Sequence, residues 1–539
     1  MTDSKQKKIG LVVAGSLNKG IDVRLDSSAS IEDITVGRYV TINGKAQNFF
    51  GMVSDLLLET TDSRLVSAPP HTEDPFISEV LKGTNAYGLL HVTPYLSWET
   101  ALNEPSAVKT IPGHFSETFL ASDEDIERVF GDEEENRFMI GNPLDMETKL
   151  CLDLKEFATR SNGIFGKSGT GKTFLTRILL IGMLQKSQCS NLIFDMHNEY
   201  GWEGTHEDKT KSAKGLKQLF PERVSIFTLD EKHAQRRLIT PDFVVKISYK
   251  DIEPEDISLL KQTLNLTSQA VEATYQLKGH YGGNWLSTAL NSADVKALAE
   301  ETGIHESTLL NLKRGLRIIE RMPFTSEAAA EDAVKHLVEV LQSGRNVVLE
   351  FGHNKNLAAY MLVANMLSRR IYKRYQQETE RAQAEGKDKP QPLIITIEEA
   401  HKFLGPEVAG ETIFGEIARE MRKFNVSLLV IDQRPSGIDE EVMSQLGTKV
   451  SCLLDNEKDV DSVLSGTSGK SALKAVLARL AAKQQALIFG HAVPMPVAFT
   501  PREYGSEESY RQITYGKYLN KTEAKAKATK DTKELWEEF

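Results

Sequence analysis

The segment 166–174 contains the clearest chemical signature in the chain. Its sequence, GKSGTGKTF, fits the pattern G-x-x-x-x-G-K-[ST] of a phosphate-binding loop. Glycines let backbone N–H groups surround a phosphate, and the N-terminus of the following helix adds a partial positive charge. An apolar pair before the loop and an apolar-periodic run after it supply the strand and helix that such a loop requires. This context disfavours the alternative, a glycine-rich turn between core elements.

The loop predicts a site for ATP and Mg²⁺. We expect Lys172 to reach the β- and γ-phosphates and the Thr173 hydroxyl to ligate Mg²⁺. The residues predicted to bind the nucleotide are Gly166, Lys167, Ser168, Gly169, Thr170, Gly171, Lys172, Thr173 and Phe174.

An apolar strand that ends in two carboxylates predicts hydrolysis as well as binding. The apolar run 393–397 is followed directly by Glu398 and Glu399. One carboxylate there can hold the hydration shell of Mg²⁺, and the next can act as general base on the attacking water. We assign the metal to Glu398 and the water to Glu399. The alternative is a helix start, where acidic residues favour the helix dipole.

Polar residues also follow two other predicted strands. Gln433 comes after the run 428–432, and Asp195 ends the run 192–195. Ligands of open parallel sheets lie outside the carboxyl ends of the strands, so both residues are candidates for the same site. The Gln433 amide is predicted to sense the γ-phosphate or orient water, with a proline-bounded turn as the alternative. Asp195 is predicted to shape the Mg²⁺ site, together with Glu199.

Two arginines are candidates for transition-state stabilisation. Arg160 lies six residues before Gly166. At about 3.3 Å per residue, the intervening strand holds it roughly 20 Å from the loop. Arg160 is therefore poorly placed for its own nucleotide and suits that of a neighbouring subunit, as an arginine finger in trans. Arg422, beside the Glu399 and Gln433 segments, is the second candidate. For each arginine the alternative is an ordinary surface ion pair.

From residue 138 onward, strands alternate with helices, which predicts an α/β fold built on a parallel sheet. Continuous apolarity indicates that these strands are covered on both faces. A long insert between the second and third strands has a helical pattern. The predicted strands cover 164–165, 192–195, 347–351, 393–397, 428–432 and 486–489.

The N-terminal part of the chain has a different pattern. Residues 9–65 alternate short β-rich runs with turn signals, which predicts a small β-barrel or sandwich. The acidic segment 123–136 is predicted to be an exposed linker. The expected domains are a β-barrel with its acidic linker over 1–137, an ATPase domain over 138–500 with a helical subdomain at about 250–343, and a polar C-terminal extension over 501–539.

The composition, 40% apolar and 26% charged, is that of an ordinary globular protein. The apolar runs are too short to span a membrane, and the polar N-terminus does not have the form of a signal peptide. Three scattered cysteines fit neither a disulfide framework nor a zinc site. We therefore expect a cytoplasmic protein with no membrane partner. The net charge of −11 predicts that any DNA contact comes from a local basic lining.

Taken in order, these motifs resemble the HerA family, in the FtsK/HerA branch of the RecA-like P-loop ATPases. The resemblance covers most of residues 9–500, and the β-rich N-terminus is similar to the HAS barrel of the family. One departure is Met421, which stands where the family's Arg-Glu-Gly-Arg-Lys run has glycine. The matching segments are Arg160 followed by GIFGKSGTGKT at 163–173, FDMHNEYG at 194–201, IEEAH at 397–401, AREMRKF at 418–424 and DQRPS at 432–436.

The resemblance implies a homohexameric ring that hydrolyses ATP between subunits and threads double-stranded DNA through its centre. It also implies a partner nuclease, NurA, docked at the barrel face for DNA end resection and break repair. By the same analogy Arg160 is the trans-acting finger and Arg422 the second arginine of the site. One alternative is a HerA-like ATPase scaffold in an antiphage defence complex with a sirtuin-like or nuclease effector. Another is a conjugation or secretion pump, which the lack of a membrane segment disfavours.

Overall fold

Two compact units make up the chain in its computed structural model. Unit 1 contains Met1–Lys172, Glu399–Pro406 and Leu429–Arg502, and unit 2 contains Thr173–Glu398, Glu407–Leu428 and Glu503–Phe539. The structure describes residues 7–67, 80–81, 85–99, 104–186, 189–205, 212–328, 331–354, 356–410, 412–420, 423–467 and 469–515.

The N-terminal part of unit 1 is a closed β-barrel. Its strands are β1 (Lys8–Ser16), β2 (Gly20–Leu25), β3 (Tyr39–Asn43), β4 (Gln47–Thr60), β5 (Ala86–Glu99), β6 (Ser106–Ala107) and β7 (Glu117–Leu120). Neighbours follow the order β2-β1-β7-β3-β4-β5, and pairing between β2 and β5 closes the circle. Apolar side chains such as Val23, Val40 and Ile42 fill the interior. The expected β-barrel is confirmed.

The rest of the described chain has an α/β architecture, as expected. All six predicted strands are present, and the runs 224–228 and 448–451 are strands that the hydrophobic pattern did not reveal. The strands are β8 (Arg137–Pro143), β9 (Leu150–Asp153), β10 (Asn162–Phe165), β11 (Ser190–Asp195), β12 (Gly204–Thr205), β13 (Ser212–Ala213), β14 (Val224–Thr228), β15 (Phe243–Val244), β16 (Ile247–Ser248), β17 (Thr325–Ser326), β18 (Asn346–Glu350), β19 (Leu393–Glu398), β20 (Val426–Asp432), β21 (Thr448–Ser451), β22 (Ala486–Gly490) and β23 (Val497–Pro501).

In unit 1, the strand that precedes the glycine-rich loop has a parallel neighbour on each side. β10 pairs with β21 and with the last four residues of β20. The antiparallel strands β22, β23, β8 and β9 follow β21 in that order. All four residues of β10 are buried. The loop therefore leaves the carboxyl end of a strand that is fixed on both edges and covered on both faces.

In unit 2, four neighbouring strands run parallel in the order β14, β18, β11 and β19. Their register sets Asp195 opposite Glu350, and Glu350 opposite Thr228. These three residues therefore lie side by side at the carboxyl edge of the strands. Ligands of parallel sheets bind outside this edge.

The helices connect these strands and fill the long stretch between β16 and β18. The described helices are α1 (Ser63–Ser67), α2 (Asp123–Phe130), α3 (Leu154–Ala158), α4 (Lys172–Lys186), α5 (Leu216–Leu219), α6 (Glu231–Arg236), α7 (Pro254–Leu259), α8 (Ser268–Tyr281), α9 (Trp285–Asn291), α10 (Val295–Thr302), α11 (Glu306–Glu320), α12 (Ala333–Gln342), α13 (Leu357–Glu385), α14 (His401–Leu404), α15 (Ile413–Glu420), α16 (Glu440–Gln445), α17 (Glu457–Val463), α18 (Lys470–Leu477) and α19 (Glu507–Tyr515).

The acidic segment 123–136 is not simply an exposed linker, and that expectation was wrong for its first half. Its first eight residues form helix α2, which begins with a capping box between Ser122 and Asp125. Ile126, Val129 and Phe130 are buried on one face of the helix. Their spacing of three and four residues forms an apolar stripe that a helix can bury. The carboxylates early in α2 also stabilise it, because they lie at the positive end of the helix dipole.

Candidate nucleotide site

The loop between β10 and α4 has the backbone of a phosphate cradle. Gly166, Gly169 and Gly171 all have positive φ values, of 152°, 77° and 95°. A Cβ atom on Gly166 would lie 2.7 Å from Cβ of Cys452 and 2.9 Å from Oγ1 of Thr170. In contrast, nothing lies within 4 Å of such an atom on Gly169 or Gly171. The loop therefore packs tightly at its base and is open at its tip, which fits a bound polyphosphate.

Two lysines of the loop have different contacts. The Lys172 ammonium donates to the backbone carbonyl of Lys167 at 2.8 Å, so its charge lies over the loop itself. The Lys167 side chain instead forms an exposed ion pair with Asp455 at 2.9 Å, and its backbone N–H donates to Leu453. Lys167 thus anchors the base of the loop, whereas Lys172 carries the charge suited to phosphate oxygens. Sequence reasoning grouped both as nucleotide-binding residues.

Glu399 and Gln433 lie side by side in unit 1. The Gln433 side-chain amide donates to Oε1 of Glu399 at 3.1 Å. Glu399 has a φ of 49°, a left-handed conformation that is uncommon for a residue other than glycine. Such backbone strain is concentrated at functional sites, where the surrounding structure imposes it. The predicted general base and the predicted water-orienting amide are therefore held together by a direct contact.

The buried carboxylate of Asp432 holds the backbone that follows each member of this pair. Asp432, which is 1% exposed, accepts hydrogen bonds from the backbone N–H of His401 at 2.7 Å and of Arg434 at 2.6 Å. The ring Nδ1 of His401 lies 2.9 Å from the same carboxylate. Since a carboxylate only accepts, Nδ1 carries the proton. Asp432 therefore ties together the two backbone segments that carry Glu399 and Gln433.

In unit 2, Glu199 rather than Asp195 contacts the threonine of the loop. The Thr173 hydroxyl lies 3.2 Å from Oε2 of Glu199. The fully buried Asp195 accepts the backbone N–H groups of Glu199, Tyr200 and Gly201 at 2.8, 2.7 and 3.3 Å. Burial raises the pKa of Asp195 above its ordinary value, and these hydrogen bonds offset only part of the rise. Asp195 was predicted to shape the metal site together with Glu199; its carboxylate holds the Glu199 backbone, and its role toward a metal stays a prediction.

Glu398, the predicted metal carboxylate, is 8% exposed. Its Oε1 accepts from the Tyr200 hydroxyl at 3.1 Å. Its backbone N–H donates to the Tyr360 hydroxyl at 2.9 Å, and that hydroxyl is 3.0 Å from the Glu398 carbonyl oxygen. The Glu398 carboxylate, the Thr173 hydroxyl and the Glu199 carboxylate each offer oxygen donors. Oxygen donors are the ligands that Mg²⁺ prefers, so the residues present fit this metal.

Sequence reasoning missed a further buried acid, Glu350. Its side chain is 1% exposed, and Oε1 has no hydrogen-bond partner among the described residues. Arg237 approaches Oε2 to 3.4 Å. Burial, with the neighbouring Asp195 charge, raises the pKa of Glu350 to about 7. The available signal was its position at the end of an apolar strand, the same position that identified Asp195.

Of the two candidate arginines, the structure describes Arg160 but not Arg422. Arg160 lies two residues before β10, at the amino end of the strand, and the loop leaves the other end. Its aliphatic stem packs on Gly447, where a Cβ atom would come within 2.6 Å of Cδ of Arg160. Arg422 and Met421 lie outside the described residues. The arginine-finger roles therefore stay predictions.

A glycine-rich phosphate cradle between a parallel strand and a helix, with a carboxylate and an amide at neighbouring strand ends, defines a P-loop ATPase. The family model for the central domain of the helicase HerA matches residues 138–371. The chain is therefore an ATP-hydrolysing enzyme whose central part is similar to the central domain of HerA helicases, and the resemblance found in the sequence is confirmed.

Proteins named DNA double-strand break repair helicase HerA are similar to the chain at low identity. The Pyrococcus furiosus protein is 24% identical over 432 residues, covering 74% of this chain and 75% of its own length. The Sulfurisphaera tokodaii protein is 23% identical over 496 residues, covering 90% of this chain and 91% of its own length.

Among solved structures, VirB4 of Thermoanaerobacter pseudethanolicus matches with a TM-score of 0.46 and 13% identity, covering 70% of this chain and 100% of that one. The bacterial conjugative coupling protein TrwBdeltaN70 matches with a TM-score of 0.44 and 11% identity, covering 71% of this chain and 92% of that one. Within the described part of the chain, no helix has both the length and the apolarity that crossing a bilayer requires.

Proposed function

We propose that this protein is an ATP-driven double-stranded DNA translocase that works as a homohexameric ring with a partner nuclease of the NurA kind. Its role would be DNA end resection in break repair. The observation that carries the proposal is the contact of 3.1 Å between Gln433 and Glu399, on the same domain as an intact phosphate cradle. The names of the HerA relatives support the DNA substrate and the repair role.

The loop binds the triphosphate of ATP in this proposal. Backbone N–H groups of residues 166–173 surround the phosphates, and the Lys172 ammonium neutralises the β- and γ-phosphate charge. Thr173 and Glu398, with Glu199 beside the threonine hydroxyl, hold Mg²⁺. When bound, this ion neutralises charge that develops on the phosphate oxygens.

Glu399 and Gln433 act on the attacking water. The carboxylate accepts a proton from the water, and the amide orients the water and senses the γ-phosphate. A mobile carboxylate would have to be ordered in each catalytic cycle. Here Asp432 and the left-handed backbone at Glu399 hold the pair in place before ATP arrives. This preorganisation is the form of electrostatic catalysis that contributes most in many enzymes.

Arg160 supports the assignment of a ring. It precedes β10 at the end opposite the loop, and the six residues from Arg160 to Gly166 span roughly 20 Å when extended. Its guanidinium cannot serve the nucleotide of its own chain and is proposed to act on that of a neighbour, with Arg422 as the second arginine of the same site. Hydrolysis then depends on subunit contact, and the ring would convert it into movement along DNA.

The partner nuclease is proposed to dock on the barrel face. The chain has no nuclease motif in its own sequence, so cutting must come from another protein. Because the net charge is −11, DNA would be held by a local basic lining of the central channel. Such binding weakens steeply with salt.

Two measurements test this function. Linear double-stranded DNA should stimulate ATP turnover by the purified chain, and the mass of the particle with ATP should equal six subunits. Lys172→Ala should remove turnover in the presence and absence of DNA. A chain that hydrolyses ATP at the same rate with and without DNA would instead favour the defence scaffold. A fully active monomer would contradict the ring.

A further inference from the structure

The segment that follows the last sheet strand packs against the P-loop helix in unit 2. This segment, residues 503–515, ends in helix α19. The ring of Tyr504 lies 5.9 Å from the ring of Phe174, in the first turn of α4. At the other end of α4, the Gln185 amide donates to the carbonyl of Ile513. The segment thus contacts α4 near both of its ends.

A buried arginine lies beneath this contact. Arg177, in the second turn of α4, is 1% exposed. Its guanidinium lies 5.5 Å from the centre of the Phe174 ring and 5.7 Å from that of the Tyr504 ring. Arginine stays charged in proteins, so a full charge is buried here. Two aromatic faces offer this charge cation–π stabilisation, which is largest where water is excluded.

The guanidinium connects the segment to the candidate metal site. Its Nη2 donates to the backbone carbonyl of Glu199, whereas Nε and Nη1 have no hydrogen-bond partner among the described residues. The Glu199 carboxylate in turn lies 3.2 Å from the Thr173 hydroxyl. Arg177 therefore holds the backbone of the residue whose side chain contacts the metal-binding hydroxyl.

Tyr504 is itself fixed from the other side. It is 7% exposed, and its hydroxyl donates to the Lys214 carbonyl. The Lys214 backbone N–H donates to the Tyr510 hydroxyl at 3.0 Å, and the Tyr510 ring meets the Tyr504 ring edge-on at 5.4 Å. The position of the Tyr504 ring over Arg177 is therefore set by helix α19 and by the loop at Lys214.

We infer that Arg177 is a positioning residue for the Mg²⁺ site and that Tyr504, which is held by its contacts with Lys214 and Tyr510, keeps the guanidinium there. This inference rests on the proposed function, because it assumes that Thr173 and Glu199 serve Mg²⁺. Removal of the stack would let the guanidinium move and release the Glu199 backbone. Residues behind metal ligands typically contribute about 10-fold or more to metal affinity.

The test is the affinity of a fluorescent ADP analogue with and without Mg²⁺, measured on the full chain. Tyr504→Leu and Arg177→Lys should each reduce the tightening by Mg²⁺ about 10-fold, and affinity without Mg²⁺ should change little. Lysine keeps the charge but lacks the planar, forked group that stacks and donates together. Tyr504→Phe keeps the ring over Arg177 but loses the hydrogen bond to Lys214, so its loss should be smaller than that of Tyr504→Leu. The control Gln512→Ala alters an exposed side chain of α19 and should bind like wild type.

Folded Tyr504→Leu and Arg177→Lys chains that respond to Mg²⁺ as wild type does would overturn the inference. If Tyr504→Leu does not fold, as judged by circular dichroism and thermal melting, Arg177→Lys alone decides. If Mg²⁺ does not tighten ADP binding to wild type, or if Lys172→Ala binds the analogue like wild type, the proposed function itself is wrong.

Discussion

The carboxylate of Asp432 accepts the backbone N–H of His401 at 2.7 Å and faces its ring Nδ1 at 2.9 Å. One buried side chain at the end of β20 thereby holds the start of α14, which follows the general-base candidate Glu399 by two residues. The same carboxylate accepts the N–H of Arg434, directly after Gln433. The spacing of the candidate pair, Glu399 and Gln433, is thus set by the carboxylate of the residue that directly precedes Gln433.

Replacement of this carboxylate should separate catalysis from binding. Asp432→Asn keeps the shape of the side chain but replaces one accepting oxygen with an amide N–H₂. This group cannot accept the N–H groups that Asp432 holds, those of His401 and Arg434. We expect kcat to fall by about 100-fold, because small misplacements of reacting groups have effects of this size, and KM for ATP to change little. Steady-state ATPase assays check this. The control is Asp439→Asn, which alters the cap of α16. Equal kcat values for Asp432→Asn and wild type would contradict the positioning role.

The proposed trans-acting role of Arg160 predicts complementation between two inactive chains. Arg160→Ala has an intact loop without a finger, and Lys172→Ala has a finger without a working loop. Mixed rings should regain ATPase activity at seams where the intact loop meets the intact arginine. Turnover plotted against the mixing ratio should therefore pass through a maximum. Arg160→Lys, which keeps the stem on Gly447, tests whether the guanidinium itself is needed.

Failure of complementation would contradict the sharing of Arg160 between subunits. If no ratio of the two chains hydrolyses ATP, although both assemble into rings of the wild-type mass, the sharing of an arginine between subunits is wrong. Arg160 would then have the ordinary structural role that its packing against Gly447 also allows.

The loop and its strand could be predicted because the signal is local. The glycine pattern, the apolar strand β10 and the periodic helix α4 all lie within a short stretch of chain. The choice between Asp195 and Glu199 could not be predicted, since both acids follow the same strand. Which of them reaches Thr173 depends on the turn that folds back over the Asp195 carboxylate.

Other misses have a similar physical origin. Strand β21 has the sequence TKVS, in which a lysine interrupts the continuous apolar pattern of a buried strand. Lys449 is nonetheless 4% exposed, because its ammonium donates to the carbonyls of Val463 and Ser465 at 3.0 and 2.9 Å. Tertiary contacts that satisfy a charge are invisible in a hydrophobic pattern. Helix α2 was missed because its many carboxylates made the segment resemble an exposed linker, although an apolar stripe runs along one of its faces.

Lys449 predicts a rise in stability at alkaline pH. Burial lowers the pKa of its ammonium from 10.5 to about 8. Between pH 8 and 10.5 the unfolded chain therefore binds more protons than the folded chain, so the free energy of unfolding increases with pH in this window. The gain from this one group is at most about 3 kcal/mol.

Thermal melting of wild type and Lys449→Met from pH 7.5 to 10 checks this dependence. Methionine has a similar stem and no charge, so its curve should lack the contribution of Lys449. As the pH rises, the free energy of unfolding of wild type should increase relative to that of Lys449→Met. A difference that stays constant across this range would show that the ammonium is not desolvated.

The glycines of the loop predict an unequal cost of adding a methyl group. Gly166→Ala combines a φ of 152° with a contact of 2.7 Å to Cβ of Cys452, so both the backbone and the base of the loop must shift. Gly169→Ala has the backbone strain of a φ of 77° but open space around the new atom. We expect Gly166→Ala to lose about 3 kcal/mol of stability or more and most ATP binding, and Gly169→Ala to lose about 1 kcal/mol. Melting curves and nucleotide titrations of the two variants measure this contrast, and equal losses would mean that packing against Cys452 does not shape the cradle.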